Sequence, residues 1–158
     1  GFAITPQAVK EGFAHVTTLT GLQGRWQKVG SLPHAYCDTG HNTGGFRYIS
    51  QQLAGIKCRT LRIVFGMVND KDISGVLSML PREAVYYFTQ ASIPRAMPAS
   101  VMRDKAAESG LKGDVYDSVP EAYRAALHDS CDEDFVFIGG SSFVVADLLA
   151  FLEANKKN

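Results

Sequence analysis

The 158-residue chain carries 16 Lys and Arg against 16 Asp and Glu, a formal net charge of zero. That excludes the basic excess an electrostatic grip on DNA or RNA requires. Hydrophobic residues make up 46% and charged residues 20%, which is the balance of one folded globular domain and not of a disordered segment.

The opening residues, Gly1 to Pro6, have neither a basic stretch nor a long apolar run, so no secretory signal is expected there and a reducing cytoplasm is the expected compartment. Thr5-Pro6 reads as a helix start, because proline fits a first turn. That helix should end before the turn at Thr20-Gly21. A first strand is expected over Ala35-Tyr36-Cys37, ending at Asp38. Phe46, Ile49, Leu53 and Ile56 then recur at helical spacing and form one apolar stripe. Leu61 to Val68 is a long β-branched run, and Asn69 or Asp70 can cap a helix carrying Ile73, Val76, Leu77 and Leu80. Ala84 to Thr89 reads as a strand, Gln90 to Pro98 as a proline-bounded loop, and Val115-Tyr116 as a short strand. Ser118-Val119-Pro120-Glu121 is a capping box with proline in the first turn, heading a helix through Leu127. Phe135 to Ile138 is the last strand. Val145, Leu148, Leu149 and Leu152 mark the last helix, and Lys156 to Asn158 a frayed polar end.

Near-continuous apolar strands alternating with amphipathic helices predict an α/β fold, a Rossmann-like, mostly parallel sheet flanked by helices. Ligands of such sheets bind at the carboxyl ends of the strands. Three strand exits carry polar residues: Asp38-Thr39-Gly40-His41-Asn42, Asn69-Asp70-Lys71-Asp72 and Gly139-Gly140-Ser141-Ser142. Together they suit a polar, phosphorylated ligand. There is no P-loop signature, no dinucleotide fingerprint and no nucleophile elbow, so the edge looks like half of a site. No apolar run approaches the ~20 residues of a membrane span. Cys37, Cys58 and Cys131 are scattered and form no C-x-x-C, so neither a structural zinc site nor a disulfide framework is expected. Cys37 lies in an apolar strand and reads as a buried, inert thiol. Trp26 and Tyr86-Tyr87-Phe88 read as packing.

Four segments in order, Gly24-Arg25-Trp26, Asp38 to Asn42, Asp70-Lys71-Asp72 and Ser141-Ser142-Phe143, resemble the carboxyl-terminal domain of the Mur-ligase superfamily. Within it they are most similar to folylpolyglutamate synthase, often bifunctional with dihydrofolate synthase. The likeness spans residues 21 to 153. That family carries a G-R segment, D-G-A-H-N-P, D-K-D and a final G-S-F/L. Here Thr39 and Gly40 replace glycine and alanine, Thr43 replaces proline, and Ser141 stands where glycine is commoner. These departures touch loop geometry and not the charged groups.

The resemblance implies an ATP-dependent amide ligase that adds L-glutamate to folate or dihydropteroate through an acyl phosphate. ATP and Mg²⁺ are the implied cofactors, with the P-loop and the magnesium ligands in a preceding central ATPase domain. That domain is the expected partner, with no nucleic acid and no membrane. Residues 1–20 would be its last helix and linker, and residues 21–158 the glutamate ligase domain. Another Mur-type ligase acting on a peptidoglycan precursor, or a non-catalytic flavodoxin-like binding module, are the alternatives. Arg25 is expected to contact phosphate, since a permanently charged planar fork suits phosphate oxygens; its plain alternative is a surface arginine. Asp38 is expected to contact ribose, or else to cap the next helix. His41 is a candidate to orient the acyl phosphate or glutamate, and otherwise makes a hydrogen bond across the loop. Asn42 is a nucleotide contact or, more simply, a helix cap. Ser142 is a candidate for holding glutamate or a phosphate, or for capping. Asp70, Lys71 and Asp72 could order the site, and Arg95 could lie near the nucleotide.

Overall fold

The structure, a computed structural model, describes residues 23–69 and 72–158. The helix expected between Thr5 and Thr20, and the Asp70-Lys71 pair, lie outside the described residues. The elements run β1 (Gln27–Ser31), β2 (His34–Asp38), α1 (Thr43–Ala54), β3 (Leu61–Phe65), α2 (Ile73–Met79) and β4 (Val85–Phe88). They continue with α3 (Ala99–Glu108), β5 (Gly113–Val115), α4 (Val119–Asp129), β6 (Phe135–Gly139) and α5 (Ser142–Lys156). The six strands form one sheet in the order β1-β2-β6-β3-β4-β5. Only β1 pairs antiparallel; the other four pairings are parallel.

Alternation along each strand feeds two cores. Ile63, Phe65, Tyr86, Phe88, Phe135 and Phe137 face α1, α2 and α3. Val64, Tyr87, Val136, Ile138, Ala35 and Cys37 face α4 and α5. Strand β6 sits inside the sheet and all five of its residues are buried, which is why it reads as one unbroken apolar run.

This layout fixes where a site can form. The register aligns Asp38 with Gly139, Gly139 with Phe65, and Phe65 with Phe88, so four strands end at one level. Strands β2 and β3 lead into α1 and α2 on one face, whereas β6, between them, leads into α5 on the other. Neighbouring strands whose exits diverge leave a crevice at their carboxyl ends.

Five details differ from what the sequence predicts. Strand β1 was not foreseen, because Gln27–Ser31 holds a single aliphatic side chain; it forms by pairing along the edge of β2. Helix α3 was not foreseen either, because its buried stripe is Ala99, Met102 and Ala106, and alanines barely mark a face. The third strand stops at Phe65, short of Val68, since Met67 and Val68 leave the ladder to pair with Met97 and Ala96. At the start of α2 the N-cap position belongs to Asp72 and not to Asn69. The last helix also runs on through Lys156.

Candidate functional site

The corner where β1 and β2 meet is organised by one carboxylate. Asp38 is 8% exposed and both its oxygens accept main-chain hydrogen bonds. Oδ1 takes the Gly40 N–H at 2.8 Å, closing a local turn after the strand. Oδ2 takes the Trp26 N–H at 2.8 Å from twelve residues away. The Thr39 N–H donates to the Gly24 carbonyl at 2.7 Å, and the Gln27 side chain accepts from the Gly24 N–H at 2.7 Å. Residues 24 to 26 are thus clamped onto the exit of β2 from both sides, with exposed Arg25 at the middle.

The clamp needs its particular residues. Gly24 has φ +79, and a Cβ there would lie 2.6 Å from the Thr39 methyl and 3.1 Å from Val145. Trp26 also has positive φ, at 40, a conformation that costs a non-glycine residue ~1 kcal/mol or more. Its ring repays this on the sheet, 5.6 Å from Tyr36, 6.3 Å from Phe135 and 5.9 Å from Phe137. Packing is the role expected of Trp26, and packing is what the ring does.

After Gly40 the chain enters α1. Asn42 is its N-cap, with Oδ1 accepting from the Gly45 N–H at 2.9 Å. Its capping role, one of the two considered, is therefore realised, and Asp38 does not cap this helix. Exposed His41 places Nδ1 3.2 Å from the Thr39 carbonyl. In the neutral ring this contact puts the proton on Nδ1 and leaves Nε2 as an acceptor.

The β6 exit contributes the other wall. Gly140, at φ +103, passes so close to Gly66 that a Cβ would sit 2.5 Å from the Gly66 carbonyl. Ser141 is the N-cap of α5, and its Oγ accepts from the Phe143 N–H at 3.0 Å. Capping therefore belongs to Ser141, and Ser142 is left as an exposed first-turn residue. Ser142 and Thr39 help line one cleft of about 880 Å³ between β1 and α5. A Cβ on Gly24 would meet both Thr39 and Val145, so the Arg25 segment, the Asp38–Asn42 turn and the start of α5 share one corner.

Other candidates fall out as follows. Asp72 sits at the head of α2, on the next strand exit. Arg95 lies with its guanidinium 4.9 Å over the Phe143 ring, next to Ser142. Cys37 is fully buried, and burial, with the Asp38 charge adding to it, pushes its thiol up to about 12; an unreactive thiol follows. Among the described residues no group of three His, Cys, Asp or Glu is placed to hold a metal ion, and no helix is long and apolar enough to cross a membrane. Sequence reasoning missed Gln27, which anchors the Gly24 turn, and Thr39, which packs on Gly24. Neither carries a signal until the two segments are brought together.

The family profile described as "Mur ligase, glutamate ligase domain" matches residues 24–142, from the clamped glycine to the first residue of α5. The dihydrofolate synthase/folylpolyglutamate synthase of Escherichia coli is 28% identical over 157 residues, covering 99% of this chain and 36% of the relative. That of Mycobacterium tuberculosis is 33% identical over 105 residues, covering 64% of this chain and 20% of the relative. Among solved structures, Escherichia coli FolC in complex with ADP, without folate substrate, superposes with a TM-score of 0.80 at 28% identity, over 100% of this chain and 37% of that one. The Yersinia pestis bifunctional enzyme complexed with AMPPNP and Mn ion gives 0.76 at 29% identity, over 96% and 35%. The chain thus spans little more than a third of the Escherichia coli enzyme's length, 36%. A profile covering three-quarters of the sequence, with a fold superposing at a TM-score of 0.80, leaves one conclusion: this chain belongs to the Mur ligase family and corresponds to its glutamate ligase domain.

Proposed function

We propose that this chain is the C-terminal part of an ATP-dependent amide ligase that joins L-glutamate to folate or dihydropteroate. In that reaction the acceptor carboxylate takes the γ-phosphoryl group of ATP, releasing ADP and forming an acyl phosphate. The glutamate amine attacks the acyl carbon, and the tetrahedral intermediate expels phosphate. The observation that carries this reading is the clamp of Asp38 on the Gly24–Trp26 segment. It holds an exposed, permanently charged guanidinium at the carboxyl edge of the sheet, where phosphoryl charge would need a partner.

Within this reading Arg25 contacts the transferring phosphoryl group. Asp38 fixes the Arg25 segment and accepts from the nucleotide ribose with its remaining lone pairs. Asn42 holds the head of α1 beside the nucleotide. His41, whose Nδ1 meets the Thr39 carbonyl, presents Nε2 to the acyl phosphate or glutamate, and Ser142 meets the incoming amino acid. The divalent cation, Mg²⁺, and the P-loop belong to a central ATPase domain that precedes residue 21 in the full protein. Residues 1–20 connect to it, and the whole enzyme works in the cytoplasm. The relatives are folate enzymes, which favours a folate acceptor over a peptidoglycan precursor.

The test is a substrate panel on the full-length protein. Folate or dihydropteroate with L-glutamate and ATP should give an amide product and ADP, and UDP-linked precursors should give none. The 158-residue chain alone should be inactive. Ligation of UDP-linked precursors and not folates would overturn the folate reading; turnover by the isolated chain would overturn the split site.

A further inference from the structure

One cation at this edge has no role in the reaction as drawn so far. Arg95 is exposed and sits in the loop between β4 and α3. That loop is held at several points. Ser92 donates from its main-chain N–H and its hydroxyl to Asp147 of α5, at 2.7 and 2.9 Å. The Met97 N–H donates to the Met67 carbonyl at 2.9 Å, and the Asn69 N–H to the Arg95 carbonyl at 3.4 Å. The Gln90 side chain accepts from the Ala99 N–H at 2.9 Å. The loop is thereby fastened both to α5 and to the exit of β3.

Between these anchors the Arg95 guanidinium rests 4.9 Å from the centre of the Phe143 ring. Phe143 follows Ser142 directly and precedes Asp147 by one helical turn. Among the described residues Arg95 forms no ion pair; the nearby carboxylate of Asp147 is taken up by Ser92. Stacking on an aromatic face holds a guanidinium in place without using its N–H donors. The result is a positioned planar fork with its hydrogen-bonding edge uncommitted, held by the residue that follows the serine assigned to the amino-acid substrate.

We propose that Arg95 is a further substrate contact of this site, receiving a carboxylate of the incoming amino acid beside Ser142. The inference rests on the ligase reading above. A carboxylate matches the guanidinium fork bidentately, and both carboxylates of the incoming glutamate survive the reaction. Phe143 acts as a positioning residue, through Arg95.

The test uses the full-length ligase that contains this chain. ADP release is followed against L-glutamate concentration, with ATP and folate acceptor saturating, and then against each of those in turn. Arg95→Ala should raise KM for glutamate about tenfold, the loss expected of one charge-assisted contact, with kcat and KM for ATP within about twofold. Arg95→Lys should recover part of the loss, because it keeps the charge but not the fork. Phe143→Leu should raise KM for glutamate in the same direction, by less. Thermal unfolding of Arg95→Ala should match wild type, since the side chain is exposed. An unchanged KM for glutamate, or a rise confined to ATP or to the acceptor, overturns the assignment while leaving the ligase reading intact. A wild-type enzyme that releases no ADP with glutamate overturns both.

Discussion

At the scale of single residues, Asp38 shows how a functional motif can first be a structural one. Its two oxygens take main-chain N–H groups from two separate segments, and such charge-assisted bonds are roughly twice as strong as neutral ones. Asp38→Asn keeps one acceptor and turns an amide NH₂ toward the other N–H. It should destabilise the domain by about 2 kcal/mol, read as a lower urea midpoint at unchanged slope. A midpoint equal to wild type would mean the clamp contributes nothing. Arg25 is the opposite case. Its side chain is exposed, so Arg25→Ala should change stability by no more than about 0.5 kcal/mol. The sequence was informative here for charge and order: Arg25, Asp38, His41 and Ser142 could all be named as candidates. It was silent on who holds whom. Gln27 and Thr39 are ordinary polar residues until the fold makes them anchors, and capping moved from Ser142 to Ser141 by one position.

Elements were legible where burial is spelled in large apolar side chains. Strands β3, β4 and β6 and helices α1, α2, α4 and α5 announce themselves by periodicity. Edge strand β1 and alanine-striped α3 do not, because their stability comes from neighbours and not from a pattern of their own. The cap on α4 was readable as a motif, and Ser118 Oγ does accept from the Glu121 N–H at 3.3 Å. Ser118→Ala should therefore cost about 1 kcal/mol, with the loss visible in a urea titration and largely absent in Ser118→Asp. A second device joins elements at the opposite end of the sheet. Arg62 of β3 donates to Asp134 at 3.0 Å and to the Tyr87 hydroxyl at 2.9 Å, and Tyr87 donates to Asp129 at 2.9 Å. Burial pulls the Asp134 carboxyl upward, but the bonds from Arg62 and from the Cys131 N–H and thiol outweigh it and hold it below the ordinary carboxylate value. Asp129 is likewise held low, chiefly by the Tyr87 hydroxyl. A carboxylate with a lowered folded value stabilises the native state above its unfolded value of ~3.9 and loses that contribution as pH falls through the folded value. Stability should therefore be level near neutrality and fall below about pH 4. Asp134→Asn should lose about 2 kcal/mol at neutral pH, because it removes the charged partner of half-buried Arg62, which keeps its bond to the Tyr87 hydroxyl, and should show a shallower acid limb. An acid limb as steep as that of wild type would remove Asp134 from the explanation.

At the scale of the whole molecule, one sheet edge of this chain supplies part of the proposed ligase site, which the rest of a longer protein completes. Strand order shapes that edge. The strand made last, β6, inserts between β2 and β3, and its exit diverges from theirs, opening the crevice into which the Asp38 turn and the start of α5 both face. Alternation of strands and helices predicted a parallel sheet. It did not predict that order, which depends on contacts more than a hundred residues apart in sequence. The most direct measurement is the rate of glutamate-dependent ADP release by the full-length protein with folate as acceptor, wild type against Arg25→Ala. The account predicts an active wild type and a variant slowed by roughly 100-fold or more, with an unchanged unfolding curve. A variant that turns over at the wild-type rate would contradict it.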